Sequence, residues 1–486
     1  MLDTFVFFRY LVIVWIGVAF CLWAFRPMIH DFAARAAWLS LFFLFLLMYA
    51  PVLAFVQSRG LPLDQYSGTV ATGFTVGAIS LTTAITRPWR VKRRDSLPLN
   101  VTAAVMLGLS LSRWLFAANP MTPANWRRPA DMIIQSVSAR PQSRQLPDIY
   151  YIVLDGMGSP GLLRQDYGVD LGPFVAFLRS EGFHVPEDAR SNYAQTYLSL
   201  ASTLNMTYLD PIVKELGPDS RDRRPLSYLI QRNALMKLGR QAGYRTIVIG
   251  SDYQATETIA EADVCLCPRY GLDEIEQSAM ALTPLAAVPR DRWTFGAHRR
   301  KVLSAFSAIE DAAVAPGPKF VFAHIVAPHP PFLFGPDGAS RRPLTAKAFA
   351  FADGGLFPGT SHEYRAGYGD QARFIANRTR ETIESLLRRG GADAVIIVHG
   401  DHGPALHLLA DSEDLTKVGS RFEIFAAYRF PGEPPELDPI LSPLNGARAL
   451  ATTYFGVSMP SLPDRSFFSP WARPYDLEEI DAIQLR

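Results

Sequence analysis

The sequence predicts an α/β protein anchored in a membrane: N-terminal transmembrane helices, then a domain of helices around a mostly parallel central sheet. Four apolar stretches occupy the first 118 residues, and beyond them continuous apolar runs alternate with amphipathic ones. Continuous apolar runs separated by helices are typical of parallel strands buried on both faces. Two of these runs end in acidic residues, which predicts polar chemistry at the carboxyl edge of the sheet.

Length and charge limit the organisation and the partners. The chain has 486 residues and a formal net charge of +2, so more than one domain is expected and an extended basic face for nucleic acid is not. We predict a membrane domain over 1–118, a linker rich in proline, arginine and serine over 119–146, and a soluble domain over 147–486.

The apolar stretches each approach the ~20 residues that a helix needs to cross a bilayer. The third is rich in small residues, which favours a helix packed against others; a re-entrant or interfacial segment is the alternative. A basic turn, TRPWRVKRRD, separates the third and fourth. Basic loops face the cytoplasm, so four crossings leave the soluble domain outside. The stretches lie at about 5–25, 36–56, 67–86 and 98–118.

The soluble part shows strand and helix patterns in alternation. Apolar runs rich in β-branched and aromatic residues predict strands, and apolar residues at helical spacing predict helices. Predicted strands lie at 149–156, 183–185, 244–252, 319–329, 395–403 and 421–428, and predicted helices at 172–181, 226–242 and 374–389.

Acidic residues at two strand ends are candidate metal ligands. Asp155 precedes Gly156 after the first strand, where a turn aspartate is the ordinary alternative. Asp401 and His402 stand between two glycines after a later strand. Carboxylate oxygen with imidazole nitrogen suits Zn²⁺, Mn²⁺ or a similar ion, whereas a capped loop with a satisfied histidine is the alternative. His399 is expected to be buried in the strand.

A hydroxyl residue is the candidate nucleophile. Thr196 stands just before an apolar run that resembles the start of a helix, where amide dipoles stabilise negative charge. A plain N-cap is the alternative role, and Ser199 and Ser202 compete as nucleophiles. A threonine hydroxyl needs activation, which a metal ion would provide.

Three histidines are candidate substrate-binding residues. His324 and His329 follow a strand in a proline-rich loop, and His407 follows His402 by five residues. The loop pair would bind a leaving-group oxygen, coordinate a second ion or cap the strand, and His329 is the stronger candidate. Cys265 and Cys267 are too close in sequence for an ordinary disulfide and are expected to be structural.

Asp155-Gly156, Thr196 at a helix start, H-x-x-x-x-H and G-D-H-G together resemble the alkaline phosphatase–sulfatase superfamily. The layout is most similar to its membrane-anchored branch, which contains lipoteichoic acid synthases and phosphoethanolamine transferases. The resemblance implies an alkaline-phosphatase-like α/β/α domain in which Asp155, Thr196, Asp401 and His402 bind one divalent ion (Mn, Zn, Mg or Ca). It also implies that Thr196 is the nucleophile and that His329 contacts substrate with His324 behind it.

The resemblance further implies a multi-pass protein of the bacterial inner membrane with its catalytic domain periplasmic or extracellular. Its expected activity is transfer of a phosphoglycerol- or phosphoethanolamine-type head group, through a threonine-linked intermediate, from a membrane lipid to an envelope acceptor. Two features depart from the family. The sulfatase C-x-P-x-R is replaced by T-Y-L-S-L, and the second-metal set is incomplete. The alternatives are a phosphodiesterase or sulfuric-ester hydrolase of the same fold, and an inactive membrane assembly module.

Overall fold

The computed structural model describes twelve segments of the chain. The chain forms two compact units. One unit comprises Met1–Ala124 with Leu272–Pro289, and the other Asn125–Gly271 with Arg290–Arg486. The predicted boundary at 118 and nearly all of the linker lie outside the described residues, so that division stays a prediction. The described residues are 16–57, 67–86, 146–268, 270, 283–287, 295–341, 353–357, 359–389, 391, 393–407, 418–432 and 442–480.

The N-terminal unit contains helices α1 (Phe32–Leu47), α2 (Tyr49–Gln57) and α3 (Ser67–Thr86). Asp31 begins α1 by accepting a hydrogen bond from the backbone N–H of Ala34, which satisfies an otherwise unpaired helix N-terminus. Within the described residues, one helical span, Phe32–Leu53, is long and apolar enough to cross a membrane; its 22 residues comprise α1 and the first part of α2.

The third predicted span is helical and packs against its neighbour. The Trp38 indole N–H of α1 lies 3.3 Å from the Thr83 hydroxyl of α3, and the Tyr49 and Phe74 rings meet edge to face. The fourth span and the basic turn lie outside the described residues, and the first is described only from residue 16. Several crossings therefore stay a prediction, whereas one apolar anchor-length helix is present.

A six-stranded sheet organises the second unit. Its order is β3-β2-β4-β1-β5-β6, and every neighbouring pair is parallel except β5 and β6, so the predicted mostly parallel sheet is confirmed. The strands are β1 (Ile149–Leu154), β2 (Arg245–Ile249), β3 (Val264–Leu266), β4 (Lys319–Ile325), β5 (Val395–Gly400) and β6 (Ala426–Arg429), and a separate pair is formed by β7 (Phe467–Phe468) and β8 (Glu478–Glu479).

Helices cover both faces of this sheet. Tyr151 and Val153 of β1 join one buried apolar cluster, while Tyr150, Ile152 and Leu154 join the other, because successive strand side chains point to opposite faces. The helices are α4 (Pro160–Tyr167), α5 (Gly172–Ser180), α6 (Thr196–Asn205), α7 (Asp210–Leu216), α8 (Arg224–Gln231), α9 (Ala234–Gln241), α10 (Gly296–Ala312), α11 (Ser361–Arg389), α12 (Gly419–Phe422) and α13 (Pro443–Tyr454), with a 3₁₀ turn at Gly354–Leu356. The other 3₁₀ turn, Pro284–Ala287, belongs to the N-terminal unit.

Four of the predicted elements differ from the structure. The helix predicted over 374–389 begins earlier, at Ser361. The helix predicted over 226–242 is divided into α8 and α9 by Asn233, whose side chain caps α9. Residues 183–185 form no strand; His184 makes one isolated bridge to Tyr428. The strand predicted over 421–428 begins only at Ala426, because its first two residues end α12 and the next two make isolated bridges. Local pattern missed these changes since side-chain capping and tertiary packing decide them.

The edge strand β3 was not predicted, and it contains one of two cysteines that are joined. Cys265 and Cys267 form a disulfide, so the expectation that they would not pair is wrong in the structure. Both sulfurs also lie near the carbonyl oxygen of Glu257. The disulfide joins two cysteines that are two positions apart in sequence, at the end of β3.

Candidate active site and metal centre

Two neighbouring strand ends bring three candidate metal ligands together. Leu154 of β1 is paired in parallel register with Gly400 of β5, so Asp155 and Asp401 leave the same sheet edge side by side. One donor atom each from Asp155, Asp401 and His402 lies within 4.8 Å of the others, and all three residues are buried. Parallel register, rather than proximity in sequence, assembles this group.

The donor atoms of this group are arranged for a cation. In the part of the chain that the structure describes, Asp155 Oδ1 and Asp401 Oδ2 are buried without a hydrogen-bond partner, which is costly for carboxylate oxygens. The other oxygen of Asp401 accepts a hydrogen bond from Gly156 N–H at 3.0 Å. Two unpaired carboxylate oxygens beside an imidazole nitrogen fit a divalent metal ion.

His402 is held so that one nitrogen faces the carboxylates. Its Nδ1 lies 3.0 Å from the carbonyl oxygen of Gly403, which requires a proton there and leaves Nε2 as an acceptor. Nε2 lies 3.3 Å from Asp401 Oδ2 and 3.5 Å from Asp155 Oδ1. Burial, followed by the charge of Arg421, lowers the pKa of His402, so the ring is neutral and able to bind a metal ion.

The Thr196 hydroxyl completes the cluster. It is the first residue of α6, and its Oγ1 donates to His402 Nε2 at 2.9 Å. The N-cap position belongs to Gln195, not to Thr196. Ser199 Oγ donates instead to the carbonyl oxygen of Asp401, and Ser202 Oγ to that of Thr207. Of the three competing hydroxyls, Thr196 is the one that meets the ligand atoms.

His324 lies within β4, not in the loop after it as the sequence predicted, whereas His329 lies in that loop. The two histidines contact different carboxylates. His324 Nε2 is 3.4 Å from Asp155 Oδ2, and its Nδ1 is 2.8 Å from the Thr256 hydroxyl. His329 Nε2 is 3.6 Å from Asp353 Oδ2. Burial opposes the charged form of His329, but the two carboxylates outweigh it and raise the pKa of the imidazole. His329 is therefore disposed to hold a proton at the site.

His407 is not placed with this group. Its side chain is 38% exposed, and its Nε2 lies 3.9 Å from Asp166 Oδ2. Asp166 is on α4, so the described contact directs His407 to the surface. The short spacing between His402 and His407 therefore does not bring His407 to the site, because the chain turns after Pro404.

Two functional candidates, Arg421 and Asp353, were missed in the sequence. Arg421 Nη2 lies 3.2 Å from His402 Nε2, and Arg421 Nη1 lies 2.9 Å from both Asp353 Oδ2 and the Gly403 carbonyl oxygen. Both side chains are about nine-tenths buried. Nothing local distinguishes them from surface residues, since Arg421 lies in a pattern that resembles a strand and Asp353 precedes two glycines.

Tyr253 forms a wall of the site. Its ring packs against Tyr197 and edge-on against His324, and its hydroxyl is buried with no hydrogen-bond partner among the described residues. Burial, with smaller effects from Tyr197, Asp155 and Asp401, raises the pKa of the phenol well above its ordinary value. The group is a neutral donor near the carboxylates.

The glycines around Asp401 and His402 are required by close backbone approach. A Cβ at Gly403 would meet the carbonyl oxygens of Ser420 and Glu423 at under 3.0 Å, and one at Gly400 would meet that of Met157. Neighbouring backbone cannot yield as a flexible side chain can. The two glycines of the G-D-H-G pattern are therefore needed for close packing of the backbone at the site.

We expect Gly403→Ala to reduce the free energy of unfolding by about 1–3 kcal/mol, the usual cost of overpacking, and to displace His402. Thermal unfolding measures the first effect and metal affinity the second. The matched control is Gly161→Ala in α4, where a Cβ meets only Ser159 Oγ at 3.8 Å. Equal stability of the two variants would contradict the packing explanation.

His399 is buried in β5 and faces away from the ligands, as expected. Its Nε2 lies 3.0 Å from the Tyr151 hydroxyl and its Nδ1 2.8 Å from the Gly400 carbonyl oxygen. Burial lowers the pKa of the imidazole to about 4. The folded protein therefore keeps this ring neutral where an unfolded chain would protonate it.

This difference predicts a pH effect on stability. Because the unfolded state binds the extra proton, the stability contribution is full above pH 6.5 and falls as the pH drops towards 4, by about 3 kcal/mol in total. His399→Gln should flatten that part of the stability curve, measured by denaturant titration at several pH values with chelator present. A variant curve parallel to the wild-type curve would show that His399 does not contribute.

Comparisons with known proteins give structural similarity at low sequence identity. No protein-family model matches the chain, and no curated protein matches its sequence. The C-terminal periplasmic domain of EcEptC from Escherichia coli aligns over 72% of this chain and 96% of its own, with 13% identity and a TM-score of 0.44. A phosphonate monoester hydrolase of Agrobacterium radiobacter aligns over 66% and 80%, with 15% identity and a TM-score of 0.44.

BT1596, a 2-O GAG sulfatase, aligns over 65% of this chain and 72% of its own, with 12% identity and a TM-score of 0.42.

Proposed function

We propose that this protein is a membrane-anchored, metal-dependent phosphotransferase that uses Thr196 as its nucleophile. One observation supports it above others: the Thr196 hydroxyl contacts His402 Nε2 at 2.9 Å, beside two buried carboxylate oxygens that have no hydrogen-bond partner among the described residues. The ion would be held by Asp155, Thr196, Asp401 and His402. When bound, a divalent ion such as Zn²⁺ or Mn²⁺ lowers the pKa of a neighbouring hydroxyl and stabilises negative charge on phosphoryl oxygens.

The protein's own residues account for the remaining steps. Thr196 gives up its hydroxyl proton to solvent, and its oxygen forms a bond to phosphorus as the bond from phosphorus to the leaving oxygen breaks. The leaving oxygen takes a proton, for which His329, with its raised pKa, is the candidate donor. The oxygen of an acceptor hydroxyl then bonds to phosphorus as the bond to Thr196 Oγ1 breaks; the acceptor's proton passes to the neutral His329, and Thr196 Oγ1 regains a proton from solvent. Arg421 Nη2, directed at the same His402 nitrogen as Thr196, is placed to bind a phosphoryl oxygen.

The membrane-anchored layout favours a lipid donor. A helix long and apolar enough to cross a bilayer lies in the N-terminal unit, and tethering raises the effective concentration of the enzyme at a membrane surface. We propose transfer of a phosphoglycerol- or phosphoethanolamine-type head group from a lipid to an envelope glycan or lipid, by a catalytic domain outside the cytoplasm. The missing C-x-P-x-R pattern disfavours sulfate esters.

The test uses the full chain in detergent with nitrophenyl phosphodiester, phosphomonoester and sulfate, with chelator or with added Mn²⁺ or Zn²⁺. We expect metal-dependent cleavage of the phosphodiester. Turnover of sulfate alone would replace the proposed substrate class. Folded protein that binds no divalent ion, by elemental analysis, would favour the assembly module. Lipid extracts incubated with and without candidate acceptors then separate transfer from hydrolysis.

A further inference from the structure

A third buried carboxylate, Asp353, lies beside the site without belonging to the metal ligands. Its side chain is 11% exposed. Its Oδ2 lies 2.9 Å from Arg421 Nη1 and 3.6 Å from His329 Nε2, and its Oδ1 accepts a hydrogen bond from the Tyr364 hydroxyl at 2.7 Å. A buried charge held by three partners is fixed in place.

Asp353 neutralises Arg421, a cation that lies beside the nucleophile. Arg421 is anchored through Nε to the Ala194 carbonyl oxygen at 2.9 Å, and its Nη2 shares His402 Nε2 with the Thr196 hydroxyl. The Arg421 guanidinium and the Thr196 hydroxyl thus lie beside the same nitrogen atom of His402. Asp353 brings a full negative charge to the other side of that guanidinium.

The carboxylates of the site are closely matched to its cations. Asp155 and Asp401 match a divalent ion, and Asp353 matches Arg421. His329, whose Nε2 lies 3.6 Å from Asp353 Oδ2, adds one positive charge when it is protonated, so a substrate phosphoryl group meets a surplus of a single positive charge. One negative charge on the substrate is accommodated by the metal ion and Arg421, but a second would face the Asp353 carboxylate at short range.

We infer that Asp353 is a specificity-determining residue that selects monoanionic phosphodiesters over dianionic phosphomonoesters. The inference rests on the proposed function and names the residue that would give it a preference for diester head groups, such as those of phospholipids. Two unit charges about 6 Å apart in an effective dielectric of about 20 change a rate by roughly a hundred-fold. Because the positive charge of Arg421 partly cancels the effect of Asp353, the expected discrimination between diester and monoester lies between about ten-fold and a hundred-fold.

Two substitutions separate charge from geometry. Asp353→Asn keeps the shape of the side chain and removes the charge, whereas Asp353→Glu keeps the charge and changes the geometry. The substrates are p-nitrophenyl phosphate and its methyl ester, which share a leaving group and differ by one charge near neutral pH. The measurement is the ratio of kcat/KM for the monoester to kcat/KM for the diester, in full-length protein with saturating metal.

We expect the ratio to rise by about ten-fold to a hundred-fold in Asp353→Asn and to stay near the wild-type value in Asp353→Glu. A merely structural role would lower both activities together and leave the ratio unchanged. An unchanged ratio in folded Asp353→Asn, or an equal rise in both variants, would overturn the inference.

Binding by the wild-type protein tests the same inference without a variant. Dimethyl phosphate is a monoanion, and methylphosphonate is a dianion above its second ionisation. Calorimetry of the metal-loaded protein should show tighter binding of dimethyl phosphate, and tighter binding of the dianion would overturn the inference. If the wild-type protein cleaves neither ester, the proposed function fails, whereas the binding comparison still decides the role of Asp353.

Discussion

Thr196→Ala should lower phosphodiester turnover by about a thousand-fold or more, the scale at which loss of a covalent nucleophile is felt. The hydroxyl donates to His402 Nε2 at 2.9 Å from the first turn of α6, and the described structure places no other hydroxyl of that helix at the ligand atoms. Alanine retains helix propensity, so the variant should fold. Steady-state kinetics with the nitrophenyl phosphodiester measures the loss.

The matched control is Ser202→Ala on the same helix. Its hydroxyl is equally buried but donates to the Thr207 carbonyl oxygen at 2.7 Å, so its loss should affect stability and spare turnover. A second readout follows from covalent chemistry. Acid-quenched wild-type protein should yield a peptide that carries the phospho-head group on Thr196, and Thr196→Ala should not. Wild-type rates in Thr196→Ala would exclude it as the nucleophile.

The carboxyl edge of the sheet could be predicted because strand patterns are local. The runs before Asp155 and Asp401 are apolar throughout, which marks buried parallel strands. Parallel neighbours then bring their ends to one edge, although register decides which residues meet. The pairing of Leu154 with Gly400 was not in the pattern, yet it is what sets Asp155 beside Asp401.

Arg421 and Asp353 could not be predicted because their roles depend on distant partners. Arg421 is 68 residues from Asp353 and 227 from Ala194, both of which it contacts. Its own segment has the apolar alternation of a strand, but α12 forms there and directs the guanidinium inwards. His407 shows the opposite error, since closeness to His402 in sequence did not bring it to the site.

The disulfide between Cys265 and Cys267 also shows where a rule based on sequence spacing fails. Cys265 lies in β3 and Cys267 follows the last residue of that strand, beside Gly250: a Cβ on Gly250 would lie 3.0 Å from Cys267. The Cα atoms of the two cysteines are 5.5 Å apart, a distance that a disulfide can span. Sequence distance alone therefore excluded a bond that the distance between the Cα atoms allows.

Asp401→Asn should change stability in opposite directions without and with metal. In wild-type protein, Asp401 Oδ2 and Asp155 Oδ1 are buried near each other, and no described residue donates a hydrogen bond to either oxygen. An amide at residue 401 keeps the acceptor for Gly156 N–H and offers its NH₂ where the unpaired oxygen was. Relief of an unsatisfied buried acceptor is worth about 1–3 kcal/mol, so the chelated variant should unfold at a higher temperature than the chelated wild-type protein.

Metal should reverse this order. Wild-type protein gains about 2.7 kcal/mol at a free metal concentration a hundred-fold above Kd, while the variant lacks one anionic ligand and should gain far less. Thermal unfolding of both proteins with chelator and with Zn²⁺ or Mn²⁺ gives the four values needed. The control is Asp170→Asn, an exposed aspartate that should leave the metal response unchanged. If Asp401→Asn is destabilised with chelator and still stabilised by metal as strongly as wild type, Asp401 is a structural carboxylate. If Asp401→Asn is more stable than wild type with chelator and less stable than wild type with metal, only a ligand role explains the result. Replacing a merely structural acid would lower stability under both conditions.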